Sequence, residues 1–181
     1  FYMKQITKTF LQSQWKQKNV IGVRVYGGRK KNSCSDIELP IGYSDRSLPR
    51  LEKIMQTMSP VGMTPLHKSI EASIEDLRKR PKPRKLVIVT DGEDTCAGNP
   101  CESADLVRRE KLDIEMYVVA LGFDGETDSL KKLECLGDMQ VARDGQSFDE
   151  AMSQISAKIQ NRDNLKVISP NPKAPVYLYK F

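Results

Sequence analysis

Apolar residues in this chain recur at two spacings. Met3, Ile6, Phe10, Leu11 and Trp15 return every three or four positions, apart from the adjacent Phe10 and Leu11, which predicts an amphipathic helix over residues 2–17. Ile21, Val23 and Val25 then fall on one face of a strand within residues 20–26. A Gly-Gly pair and a basic loop follow, after which Ile37, Leu39 and Ile41 alternate again. Pro40 has no N–H to give to a ladder, so this run is placed at a sheet edge. Residues 47–58 are weakly helical. Leu66, Ile70, Ile74 and Leu77 form the buried stripe of a clear helix over residues 64–79. Thr64 suits its N-cap and Pro65 its first helical position.

Leu86 to Val89 is a short unbroken apolar run, the pattern of a strand buried on both faces of a parallel sheet. It ends in an acidic turn, so that residues 85–95 read KLVIVTDGEDT. Asn99, Pro100 and Glu102 open the next helix. Residues 114–121 form another strand and residues 122–128 another acidic loop. Leu130, Leu133 and Leu136 mark a short helix, and residues 140–142 a last strand. Ser147 with Glu150 forms a capping box for a helix reaching about Gln160. Pro170, Pro172 and Pro175 mark a linker, and VYLYKF over residues 176–181 has strand propensity. The expected organisation is an α/β domain over residues 1–160, with residues 161–181 a Pro-rich linker and the start of a following β domain.

Helices alternating with strands predict a doubly wound, mostly parallel sheet with helices on both faces and one antiparallel edge strand. The loops after Tyr26, Val89 and Leu121 then share one rim with the turn before Thr64, and ligands of open α/β sheets gather at that rim. Thr64 offers a hydroxyl and Asp91 a carboxylate, hard donors suited to Mg²⁺, Mn²⁺ or Ca²⁺. Each also has a plainer role, Thr64 as an N-cap and Asp91 as a turn former with Gly92. Glu93 and Asp94 are expected as rim residues or turn formers. His67, the single histidine, supports no zinc site.

Gly62-Met63-Thr64-Pro65, Val89-Thr90-Asp91-Gly92 and the Val-Arg-Val-Tyr-Gly strand over residues 23–27 together resemble a von Willebrand factor A domain of bacterial type. The resemblance spans residues 1–160. It implies a non-enzymatic module that binds proteins through a metal-ion-dependent adhesion site, with Thr64 and Asp91 as metal ligands and a partner's carboxylate completing the shell. The loops at Gly62, Glu93 and residues 122–128 would shape the contact surface. The family's Asp-x-Ser-x-Ser motif, which should precede the first helix, is absent. Ser44-Asp45-Arg46-Ser47 lies after the edge strand and does not replace it. The missing strand would be central, and leaving both its neighbours unpaired is costly. The expectation is therefore a segment upstream of Phe1, with residues 176–181 as the alternative filler of the slot. A scaffold with a vestigial metal site is the second functional expectation.

Composition changes little: 181 residues, 39% hydrophobic and 29% charged, with net charge +5, describe one ordinary globular domain. No apolar stretch approaches the roughly 18 residues that span a membrane. The basic residues within 78–85 suit a solvated connector at a helix C-terminus, and with no aromatics interleaved nucleic acid is not an expected partner. An enzyme has little support, since there is no Gly-rich phosphate loop and no nucleophile with a base. Of the four cysteines, Cys96 and Cys101 could close a small disulfide beyond Asp91, while Cys34 and Cys135 are expected near opposite sheet edges. Such a bridge implies a periplasmic, secreted or cell-surface location; reduced thiols in a cytoplasmic protein are the alternative.

Overall fold

The computed structural model describes residues 2–43, 46–57, 59, 61–122, 128–164 and 174–180. Helix α1 (Tyr2–Lys16) leads to strand β1 (Gly22–Tyr26) and the antiparallel strand β2 (Ile37–Ile41). Helices α2 (Leu48–Thr57) and α3 (Leu66–Arg78) follow, then β3 (Arg84–Thr90), α4 (Pro100–Arg109) and β4 (Ile114–Leu121). The chain continues through α5 (Asp128–Glu134), β5 (Asp138–Ala142), α6 (Gly145–Asn164) and β6 (Ala174–Lys180). Among the described residues the strands form one sheet in the order β2-β1-β6-β3-β4-β5, parallel except for β2 at its edge.

The slot between β1 and β3 is filled from the far end of the chain. Strand β6 pairs with β1 from Gly22 opposite Val176 to Tyr26 opposite Lys180, and with β3 from Arg84 opposite Ala174 to Val89 opposite Tyr179. Both neighbours thereby satisfy the backbone groups that an empty slot would strand. Of the two ways of completing the sheet, this is the filler drawn from residues 176–181.

Successive side chains of a strand point to opposite faces, and here they enter two separate cores. Val23, Val25, Val87, Val89, Tyr117 and Val119 pack with α1, α2 and α6. Tyr26, Leu86, Ile88, Val118 and Ala120 pack with α3, α4 and α5. The stripes read from the sequence are the buried ones: Ile6, Phe10, Leu11 and Trp15 on α1, and Leu66, Ile70, Ile74 and Leu77 on α3.

Two details differ from expectation. Helix α6 starts earlier, capped by Asp144 rather than Ser147: Ser147 N–H donates to Asp144 Oδ1 (2.8 Å), and Asp144 N–H donates back to Ser147 Oγ (3.0 Å). That is the same reciprocal box, moved three residues towards the N-terminus. The basic segment near β3 is also less solvated than predicted. Arg84 donates to the carbonyls of Arg80, Leu112 and Arg78, Arg80 lies 4.0 Å from the Tyr43 ring centroid, and buried Lys85 pairs with Glu115.

Candidate functional site

Parallel pairing brings the C-terminal ends of β1, β3 and β4 to one rim, and the residues after them build the site. Gly27 turns the chain out of β1 with φ +64, a left-handed conformation. Its carbonyl accepts the N–H groups of Val61 (3.3 Å) and Gly62 (3.0 Å). A Cβ on Gly27 would lie 2.4 Å from the Met63 carbonyl oxygen, and one on Gly62 would lie 2.6 Å from that of Lys30. These two glycines allow residues 61–65, which carry Thr64, to lie directly on the end of β1. Below them Tyr26 is buried, which pushes its phenol pKa up, and its hydroxyl donates to the Val89 carbonyl (3.3 Å).

Thr64 is buried and bound to the loop after β3. Its N–H donates to Thr95 Oγ1 (2.7 Å), while Thr95 N–H donates to the Thr64 carbonyl (3.1 Å). Thr64 is not the N-cap of α3, as the sequence predicted. Pro65 holds that position and gives no side-chain cap. The cap comes from Asp94, whose Oδ2 accepts the N–H of His67 (2.8 Å), and a carboxylate there also complements the helix dipole. Asp94 Oδ1 accepts from Cys96 N–H (2.7 Å) and Gly98 N–H (3.0 Å). Those bonds bracket Ala97, whose φ of 57 is strained for a residue with a Cβ. One carboxylate therefore shapes the loop and joins it to α3.

The disulfides follow from that shape and correct the predicted pairing. Cys96 pairs with Cys34 of the β1–β2 loop, not with Cys101, and Cys101 pairs with Cys135 just beyond α5. Cys96 is held in the Asp94-shaped loop, whereas Cys101 is already in the first turn of α4, where its N–H donates to the capping Asn99 side chain (3.2 Å). The two thus serve different neighbours. A further tie runs from Glu93 to α5, where Lys132 donates at 2.7 Å and Ser129 donates as well. The Lys132 bond, then that from Ser129, holds the Glu93 carboxyl below its ordinary pKa against a smaller opposing effect of burial. Glu93, Asp94, Gly98, Asn99, Lys132 and Leu133 line a cleft of about 390 Å³ at this junction.

The β1–β2 loop has its own anchor in Asp36. This buried side chain accepts the N–H groups of Arg29 (2.8 Å) and Lys30 (2.9 Å), and the Arg29 guanidinium lies 3.1 Å away. Burial alone would raise its pKa, but these donors outweigh burial and lower it. Its contribution to stability is therefore complete above the unfolded value of about 3.9 and is lost as pH falls through the folded pKa. Asp36→Asn should lower the urea midpoint at neutral pH and flatten its decline below about pH 4. Parallel midpoint curves for the two proteins would contradict this role.

Asp91 is exposed on the rim at the end of β3. The fit of a divalent cation is set by its donors. Thr64 and Asp91 are hard oxygen donors, but Glu93 and Asp94 are committed to Lys132 and to backbone N–H groups. Among the described residues no group of three or more His, Cys, Asp or Glu is placed to hold a metal. Thr64 and Asp91 would supply about two of the six positions Mg²⁺ prefers. His67 is largely buried, 3.5 Å from Ser103 and 3.4 Å from Glu71. The expected loop at residues 122–128 falls mostly outside the described residues.

The sequence placed Asp94 as a rim residue or turn former, and its bonds to Cys96 and Gly98 bear that out. What sequence reading missed is that the same carboxylate caps α3, that Asp36 anchors the β1–β2 loop and that Cys34 ties that loop to Cys96.

The comparisons agree with this architecture. The chain is similar to the uncharacterized protein YwmD of Bacillus subtilis (strain 168), 23% identical over 167 residues, covering 86% of this chain and 74% of that protein. It is also similar to the uncharacterized protein YwmC of the same organism, 27% identical over 108 residues, covering 58% of this chain and 48% of that protein. The family model for the von Willebrand factor type A domain matches residues 16–138, a span that contains Thr64, Asp91 and all four cysteines. The chain belongs to the von Willebrand factor type A domain family.

Proposed function

We propose that this domain is a non-enzymatic adhesion or assembly module, a doubly wound platform that binds a protein partner at its C-terminal rim with a divalent cation between them. Membership of the family suggests a protein-interaction module. The cation is this proposal's addition. Thr64 and Asp91 would hold Mg²⁺, Mn²⁺ or Ca²⁺, and a carboxylate of the partner would occupy one of the remaining positions. When bound, the ion would supply a charge on which an acidic side chain can dock.

One observation carries the reading: the reciprocal Thr64–Thr95 hydrogen bonds, which join the segment bearing Thr64 to the loop bearing Asp91. Tying the two loops together supports bringing these hard donors to one cation. Two disulfides suit an oxidising, non-cytoplasmic compartment. A periplasmic, secreted or cell-surface location, where adhesion modules act, is part of the proposal. Among the described residues no helix is long and apolar enough to cross a membrane.

A second reading is favoured by the commitments of Glu93 and Asp94, which leave few acidic donors. In it the rim is a metal-free scaffold surface. Mn²⁺ titration followed by electron paramagnetic resonance separates the two. The cation reading expects binding that weakens at least about tenfold in Asp91→Ala. Binding unchanged by that substitution, or no binding at millimolar Mn²⁺, leaves the scaffold reading.

A further inference from the structure

Lys30 and Lys31 stand exposed at the tip of the β1–β2 loop. Among the described residues neither side chain has an ion pair or hydrogen bond. Their neighbour Arg29 differs, being paired with Asp36 and Glu38. A charged surface loop is ordinarily mobile and solvated. This one is fixed from three sides. Buried Asp36 accepts the Arg29 and Lys30 N–H groups, Gly62 packs against the Lys30 carbonyl, and Cys34 ties the loop to Cys96 beside the Asp91 turn. The fold thus presents two cations, unpaired among the described residues, on a tethered backbone next to the candidate site.

We propose that Lys30 and Lys31 anchor an acidic segment of a protein partner that crosses the rim towards Asp91. The proposal rests on reading the rim as a protein-binding surface. Rigid presentation lowers the ordering cost of binding, and unpaired rim cations steer an acidic partner during association. The lysines follow β1 and the Asp91 turn follows β3, two positions further along the sheet, with the Cys34–Cys96 bridge joining the two loops. Residues 27–36 contain no aromatic on which nucleic-acid bases could stack or that could anchor in a bilayer interface. A short acidic segment can place its carboxylates on the lysines and end before Asp91.

The test uses fluorescein-labelled octaglutamate and fluorescence anisotropy on the full chain, in Mg²⁺ and in EDTA. Lys30→Glu/Lys31→Glu should weaken binding at least about tenfold, and raising NaCl from about 50 to about 300 mM should weaken the parent. Lys16→Glu/Lys79→Glu, matched in charge on the opposite rim, should stay within about twofold. No octaglutamate binding, or equal losses in both double variants, overturns the proposal. So does tighter Lys30/Lys31-dependent capture of a ribohomopolymer or phosphatidylserine vesicles. Binding that survives EDTA and Asp91→Ala but not the Lys30/Lys31 change keeps this anchor and rejects the cation. The reverse pattern keeps the cation and rejects the anchor.

Discussion

Removing the Cys34–Cys96 bridge as Cys34→Ser/Cys96→Ser should lower stability by about 3–4 kcal/mol, with a slightly smaller loss for Cys101→Ser/Cys135→Ser. The entropic estimate grows with the loop that is closed, and the sequence separations are 62 and 34 residues. The two loops follow one another along the chain without nesting, so their constraints on the unfolded state should nearly add. For a domain of this size each kcal/mol corresponds to roughly 2–4 °C, so loss of both should lower Tm by about 12–30 °C. Calorimetry of each double variant measures this, and alkylation of the native protein with mass analysis checks the pairing. A stability loss below about 1 kcal/mol in both variants, or four alkylatable thiols in native material, would sink the idea. The two variants should also differ locally. Losing Cys34–Cys96 releases the loop that carries Lys30 and Lys31 from the turn that carries Asp91, whereas losing Cys101–Cys135 parts α4 from the chain following α5.

How much of this was legible beforehand depends on the range of the interaction. Apolar spacing is a local property, and it located α3, β3, β4 and the stripe Leu66, Ile70, Ile74 and Leu77 correctly. Thr64 and Asp91 were placed on one rim by topology alone, and the Thr64–Thr95 bonds bear out the proximity of their two segments. Caps were legible only where the partner lies within the same turn. Asn99 was identified, but Asp94 caps a helix through His67, 27 residues earlier, and no local pattern announces it. At α6 only Ser147 with Glu150 fits the capping-box spacing, whereas the box that forms, Asp144 with Ser147, has no Glu or Gln at its third position and so gave no sequence signal. The disulfides failed for a related reason. A short loop made Cys96 with Cys101 attractive, while the bonds from Asp94 that shape the turn around Cys96 are invisible in the sequence. Strand propensity at Val176 to Lys180 was visible, but a parallel position between β1 and β3 is set by partners more than eighty residues away.

Gly27→Ala should be the most damaging single substitution on the rim, costing about 2–4 kcal/mol. Two terms contribute. The residue holds φ +64, where a side chain costs on the order of 1 kcal/mol relative to glycine. The added Cβ would also sit 2.4 Å from the Met63 carbonyl oxygen, a backbone atom that cannot rotate away. Relief requires residues 61–65 to lift from β1, which breaks the Val61 and Gly62 bonds to the Gly27 carbonyl and displaces Thr64 from Thr95. The loss should therefore appear twice, as a lower urea midpoint and as faster hydrogen exchange at Val61 and Gly62 than the global change explains. Gly42→Ala is the control: its Cβ would meet nothing within 4 Å and its φ is not left-handed, so it should be neutral or stabilise slightly. Equal midpoints for the two variants would show that the close approach at Gly27 does not hold the rim. A Gly27→Ala protein that keeps its midpoint but loses Mn²⁺ binding would instead place the strain in the loop alone, with Thr64 moving and the sheet unaffected.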